Sequence, residues 1–242
     1  MGYRIFLAGG SGAIGRRLIP LLVDAGHQVA ATTRQIAKAE ELRALGAEPV
    51  VVDVFDAAGL REAVLAAHPE VVIHQLTDLP AGLDPAKMGE AVTRNARIRD
   101  EGTRNLVEAA KAAGARRLVA QSIAWAYAPR PEPHGEADPL DSAAEGGRGI
   151  SVGGVIALER QVLAAAPLTG VVLRYGHLHG PGTGAETAAD PAVHVDAAAH
   201  AALLAVERGA PGAFNVAEPN GLVTTGKAVS ELGWRADFRL PA

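Results

Sequence analysis

Tyr3-Arg4-Ile5-Phe6-Leu7-Ala8, a short apolar run, passes directly into Gly9-Gly10-Ser11-Gly12-Ala13-Ile14-Gly15 and then into a helical pattern. Strand, glycine turn and helix in that order form a dinucleotide-binding unit. Gly9 permits the sharp turn, Gly12 lets backbone approach a pyrophosphate, and Gly15 lets the helix pack on the strand. The helix start offers unpaired N–H groups to an anion, so Ser11, Ala13 and Ile14 belong to the same cradle. Glycine-rich turns also occur as plain loops, and the surrounding sequence separates the two cases.

A second strand, His27-Gln28-Val29-Ala30-Ala31-Thr32, follows about twenty residues after the glycines, where a residue that senses the adenosine ribose belongs. Thr33-Arg34 stands there, without Asp or Glu. A carboxylate would accept from the 2′-hydroxyl of NAD, whereas a guanidinium grips a 2′-phosphate through paired charge-assisted hydrogen bonds. The expectation is NADP(H), with Arg34 as a solvated charge at a helix start the alternative.

The 242 residues are 48% hydrophobic and 21% charged, enough for one large core with a small appended lobe. A net charge of −4 provides no general field for nucleic acid or anionic lipid. Without cysteine there is no disulfide, thiolate nucleophile or Cys-based zinc site, and no metal site is expected. No secretory pattern opens the chain and no apolar run approaches the ~20 residues of a membrane span. The expected setting is cytoplasmic.

Short β-rich runs near 3–8, 28–33, 49–53, 70–76, 116–122 and 170–175 alternate with helical stretches at 12–25, 35–46, 57–67, 87–113 and 152–166. This alternation predicts an α/β fold, a doubly wound parallel sheet, with residues 1–175 as the dinucleotide-binding domain and 176–242 as a small substrate lobe. Gly26, Gly46 and Gly114 sit where helices close. The proline-rich stretch Ala128–Ile150 is expected to be irregular and to cover the active site. A second break in the rhythm lies at Gly180-Pro181-Gly182-Thr183-Gly184.

Taken in order, these landmarks resemble the extended short-chain dehydrogenase/reductase family, the NAD(P)-dependent epimerases and dehydratases of sugar nucleotides. Gly9, Gly12 and Gly15 match its fingerprint, and Asp53-Val54 its adenine contact after the third strand. The run ending His74-Gln75-Leu76-Thr77 matches its fourth strand, which passes beneath the nicotinamide ribose. Gly102-Thr103 with Asn105-Leu106, Leu173-Arg174-Tyr175-Gly176, Gly180-Pro181-Gly182, His194-Val195-Asp196, Gly212–Val216 and Glu231-Leu232-Gly233-Trp234 continue the match. The resemblance implies a homodimer through the helices at 87–113 and 152–166.

The family's proton-transfer pair, Tyr-x-x-x-Lys, is missing. Four residues beyond Tyr3, Tyr127 and Tyr175 stand Leu7, Pro131 and His179. With Glu159 fixing the register, Ser151 and Val155 occupy the pair's positions, Ile123 takes the usual Ser or Thr position, and Arg99 replaces the usual Asn. Tyr127, His134 and Ser122 are the substitute proton donors to consider; Arg99, Arg174, His177 and His179 are candidates for binding a substrate phosphate or carboxylate. The expected activity is oxidation–reduction or epimerisation of a small carbonyl or sugar-like substrate with a non-standard proton donor. The alternatives are a noncatalytic NADP(H) sensor and an isomerase or cyclase working without hydride transfer.

Overall fold

A computed structural model describes residues 2–80 and 85–241. Seven parallel strands form one sheet in the order β3-β2-β1-β4-β5-β6-β9. They are β1 (Arg4–Ala8), β2 (Gln28–Thr33), β3 (Glu48–Val51), β4 (Val71–His74), β5 (Arg117–Ile123), β6 (Thr169–Tyr175) and β9 (Gly212–Val216). A short parallel ribbon, β7 (His177–His179) with β8 (Ala192–His194), stands beside it. Strand order reverses between β1 and β4, so a crevice opens at the carboxyl ends of those strands, the usual ligand position in such sheets.

Helices cover both faces because strand residues alternate. Ile5, Leu7, Val29, Ala31, Ile73, Val119, Val171 and Leu173 pack under α1 (Ala13–Asp24) and α7 (Val195–Leu204). Phe6, Ala8, Val72, Leu118, Ala120 and Val172 face the other way, toward α3 (Ala57–Ala67), α5 (Thr103–Ala112) and α6 (Gly146–Leu163). A sheet buried on both sides explains the near-continuous apolar runs. The short α2 (Ala39–Ala44) leads into β3, and α4 (Pro85–Arg97) joins α5 through a π-helical segment, Ile98–Gly102.

All six expected strands form, within two residues at each end. Gly26, Gly46 and Gly114 take left-handed φ of 85°, 93° and 71° one residue beyond helix caps. The stretch beyond Tyr175 is not a separate lobe: β9 hydrogen-bonds to β6, and α7 shares the core beneath α1. The expected boundary at 175 divides one continuous core.

Ala128–Ile150 departs further from expectation. Gly146–Ile150 form the first turn of α6, because burying Val152, Val155 and Leu158 further along outweighs the poor helix propensity of its glycines. The remainder packs toward β9 and the segment following it. His134 N–H donates to the Leu222 carbonyl, Thr224 N–H to the His134 carbonyl, and Asn215 N–H to Glu136 Oε1. No helix among the described residues is long and apolar enough to cross a membrane.

At the end of β4, His74 is fully buried. Its Nδ1 accepts from the Leu76 N–H at 3.2 Å, so Nε2 carries the proton and donates to Thr103 Oγ1 at 3.0 Å. Burial, reinforced by the charge on Arg99, pulls the imidazole pKa down to about 4 from 6.5. Between these values the unfolded chain binds a proton that the folded chain refuses, so stability rises with pH across the window. About 3 kcal/mol present above pH 6.5 is expected to be lost by pH 4. Denaturation midpoints against pH check this, and His74→Gln should flatten the slope.

Candidate active site and coenzyme cleft

The glycine turn is pinned from β2. Gly9 N–H donates to Thr32 Oγ1 at 3.0 Å and Gly10 N–H to the Thr32 carbonyl at 3.0 Å. Ser11 Oγ donates to Thr33 Oγ1 at 3.3 Å. No side chain caps the start of α1 and no acidic residue occupies its first turn, so its N–H groups are open to an anion. A Cβ on Gly15 would lie 2.3 Å from the Gly9 carbonyl oxygen, and one on Gly9, at φ 96°, 2.7 Å from the Gln75 carbonyl oxygen. The backbone therefore closes around these positions, as a phosphate cradle needs.

A cleft of about 1300 Å³ runs over this turn. Gly9, Ser11, Gly12, Ala13, Ile14, Thr33, Arg34, Val54, Gln75, Leu76 and Thr77 line it, eleven of the thirteen expected coenzyme residues. Gly15 lies behind the turn as a packing position. Asp53 faces a neighbouring depression of about 340 Å³, shared with Arg34, and its carboxylate accepts from the Phe55 N–H at 2.9 Å. Half-exposed Arg34 faces both spaces and pairs at 3.6 Å with Asp78, which also meets Arg94. Buried Gln75 leaves its Oε1 without a partner in the cleft wall. An extended groove with an anion cradle in its floor, a cation at one end and an unmatched acceptor near β4 fits a nicotinamide dinucleotide.

The substrate half is built differently from the sequence expectation. None of Ala128–Ile150 lines the cleft, so this loop is not its cover; Thr77–Pro80 and Gly180–Ala189 form the rims instead. Tyr127 and His134 also lie outside the cleft. Tyr127 is buried, and its hydroxyl donates to Asn215 Oδ1 at 2.6 Å while accepting from Arg174 at 2.9 Å. Burial pushes its pKa up, against the opposing pull of Arg174. His134 stacks on the Tyr127 ring at 4.9 Å. Both are interior packing groups, because the β5 exit folds back on β9.

Ser122 reaches the cleft but its proton is committed, since Oγ donates to Glu159 Oε1 at 2.7 Å. Arg174 is likewise no substrate anchor. Its Nε and Nη2 grip the two Glu159 oxygens at 2.9 and 2.7 Å, and both residues are buried. Burial opposes the guanidinium charge, but the Glu159 carboxylate raises its pKa overall. His179 sits outside the cleft, 3.1 Å from Glu218 and edge-on to His194.

Two expected substrate residues do face the cleft. His177 stacks on Trp125 at 5.0 Å with planes 8° apart, and burial lowers its pKa. Arg99 is carried inward by the π-helical segment, a distortion that often marks functional positions. Its Nη1 donates to Ser151 Oγ at 3.1 Å and to the Ser151 carbonyl at 3.3 Å. Tyr175, also in the wall, is fully buried with its hydroxyl 3.4 Å from Gln75 Nε2, and burial raises its pKa. The sequence reading missed Trp125, Met88 and Val92 as wall residues; only the apolar character of the latter two was visible, and core residues share it.

Comparison with known proteins agrees with this geometry. Residues 9–200 match the family model described as NAD(P)H-binding. A Streptomyces 3-diazoavenalumate denitrifying reductase is 43% identical over 237 residues, covering 89% of this chain and 76% of that protein. Among solved structures, UDP-glucose 4-epimerase of Thermotoga maritima superimposes with TM-score 0.77 at 21% identity, covering 97% of this chain and 94% of its own. The Thermus thermophilus UDP-glucose 4-epimerase in complex with NAD gives 0.76 at 20% identity, covering 98% and 95%. These structural likenesses establish the shared Rossmann architecture. With its glycine cradle, its switch-point cleft and the match over residues 9–200, this chain belongs to the NAD(P)H-binding family.

Proposed function

We propose that this protein is an NADPH-dependent reductase that passes hydride to an electrophile needing no hydroxyl proton donor. The observation that carries the reading is the fate of the three candidate donors. Tyr127 and His134 are withdrawn from the cleft, and Ser122 gives its proton to Glu159. Ser151 and Val155 stand where the resembled family has its tyrosine and lysine. Tyr175 is a weakened acid with His179 four residues on.

A bound nicotinamide supplies the hydride. The chain's residues hold and orient: the turn and the α1 N-terminus grip phosphates, Gln75 offers an acceptor, and the apolar walls exclude water. The Streptomyces relative's name describes loss of nitrogen from a diazo compound, and that chemistry suits this cleft. For a diazonium centre, R–N₂⁺ plus hydride gives R–H plus N₂. One carbon–nitrogen bond breaks, one carbon–hydrogen bond forms, and no proton has to be delivered. A carbonyl, by contrast, gains an alkoxide that an acid must quench.

Coenzyme choice rests on Arg34. Its half-exposed position screens the charge, so Arg34→Gln should weaken NADP⁺ binding about tenfold rather than more, with NAD⁺ affinity changed by less than about twofold. Calorimetric titration with both coenzymes checks this.

The function is tested by following NADPH absorbance with 3-diazoavenalumate and with an aromatic aldehyde. Diazo-dependent oxidation with release of dinitrogen is expected, the aldehyde being at least about 100-fold slower, the lower end of what general acid catalysis contributes. Equal or faster reduction of the aldehyde overturns the proposal. Coenzyme binding without turnover of either compound favours the sensor reading.

A further inference from the structure

Arg99 is a buried cation of the cleft wall, and no carboxylate among the described residues answers its charge. It is 7% exposed, yet no carboxylate lies within ion-pair distance among the described residues. Glu159, whose charge it feels, has its Oε1 taken by Ser122 and Arg174 and its Oε2 by Arg174. One guanidinium nitrogen, Nη1, serves Ser151; Nε and Nη2 make no hydrogen bond among the described residues. Burial lowers its pKa to about 10, which still leaves it a cation at neutral pH. Its close neighbour His74 is buried and neutral.

A buried cation without a counter-charge is costly unless something else answers it. Here the opening is toward the cleft. The planar fork of an arginine matches a carboxylate through two parallel N–H···O bonds. The same cleft wall carries the Trp125–His177 stack and the apolar side chains of Met88, Val92 and Ile123, a surface suited to a flat conjugated body.

We infer that Arg99, supported by Ser151, anchors the carboxylate of a planar aromatic or conjugated substrate, fixing that substrate in the cleft through its anion. This deepens the reductase proposal and rests on it. Arg99 is thus a specificity-determining residue, and its place on the π-helical segment is what turns it inward.

The test is titration of the NADP⁺-loaded protein with benzoate and with benzamide, two probes of one shape differing in charge. Benzoate should bind about tenfold or more tightly, and Arg99→Met should remove that advantage. Arg99→Lys, which keeps charge but loses the fork, should retain only part of it. Removing a lone buried cation should leave the thermal midpoint of R99M unchanged or raised. Equal binding of the two probes, or a benzoate preference surviving in R99M, overturns the inference. So does a lowered midpoint in R99M with the preference intact, since that marks a structural strut. NADP⁺ affinity is read in the same series, and the probes are also titrated without coenzyme. Failure of NADP⁺ to bind then counts against the coenzyme reading alone.

Discussion

Glu159→Ala is expected to destabilise the fold by about 3–5 kcal/mol, the usual cost of removing one partner from a buried ion pair. Glu159 is the centre of an interior network linking α6, β5, β6 and, through Tyr127 and Asn215, β9. Deleting its carboxylate leaves Arg174 charged in a site it cannot leave, because its remaining nitrogen is held by the Tyr127 hydroxyl and the Glu136 carbonyl. It also orphans the Ser122 proton. The cost is mainly an uncompensated buried charge, so the double variant Glu159→Leu with Arg174→Met should recover much of the loss. Urea denaturation of both variants checks this; a loss below about 1 kcal/mol in E159A would falsify the structural role given to the pair.

Gly9→Ala should weaken coenzyme binding by about 5- to 150-fold. At φ 96° an alanine is strained before any contact is counted, and its Cβ would lie 2.7 Å from the Gln75 carbonyl oxygen and 2.8 Å from that carbonyl carbon. Both obstacles are backbone and cannot rotate aside. The turn must move, taking with it the N–H groups that face the pyrophosphate, and one to three kcal/mol of strain is about a 5- to 150-fold loss. Isothermal titration with NADPH reads the change, with circular dichroism confirming that the sheet survives. An unaltered affinity would mean that the cradle is not where the phosphates sit.

The sheet and the glycine turn were legible in the sequence because their signals are local. The Gly9–Gly15 spacing, the period-two strands and the helix-closing glycines each depend on a few neighbouring residues. Strands β7 and β8 have three residues each, too short to show a period, and α7 is alanine-rich and buried all round, so it has no amphipathic face to read. Two proton-donor candidates and one substrate-anchor candidate were misplaced for a different reason. Tyr127, His134 and Arg174 carry chemically apt groups, but contacts some 40 to 90 residues away along the chain decide where those groups point. Nothing near Tyr127 reveals that its hydroxyl is destined for Asn215. Arg99 was visible as an oddity of residue type, and the π-helical segment that turns it inward was not.

Hydride delivery in a cleft without its proton donor leaves an isotopic signature. The measurement uses NADPH carrying deuterium at the transferable position, in single turnovers with 3-diazoavenalumate from pH 6 to 9. Deuterium is expected on the carbon that lost nitrogen, at a rate changing by less than about threefold across that range, because no general acid takes part. Product without deuterium, or a rate that falls tenfold per pH unit as a protonated group is lost, would contradict it.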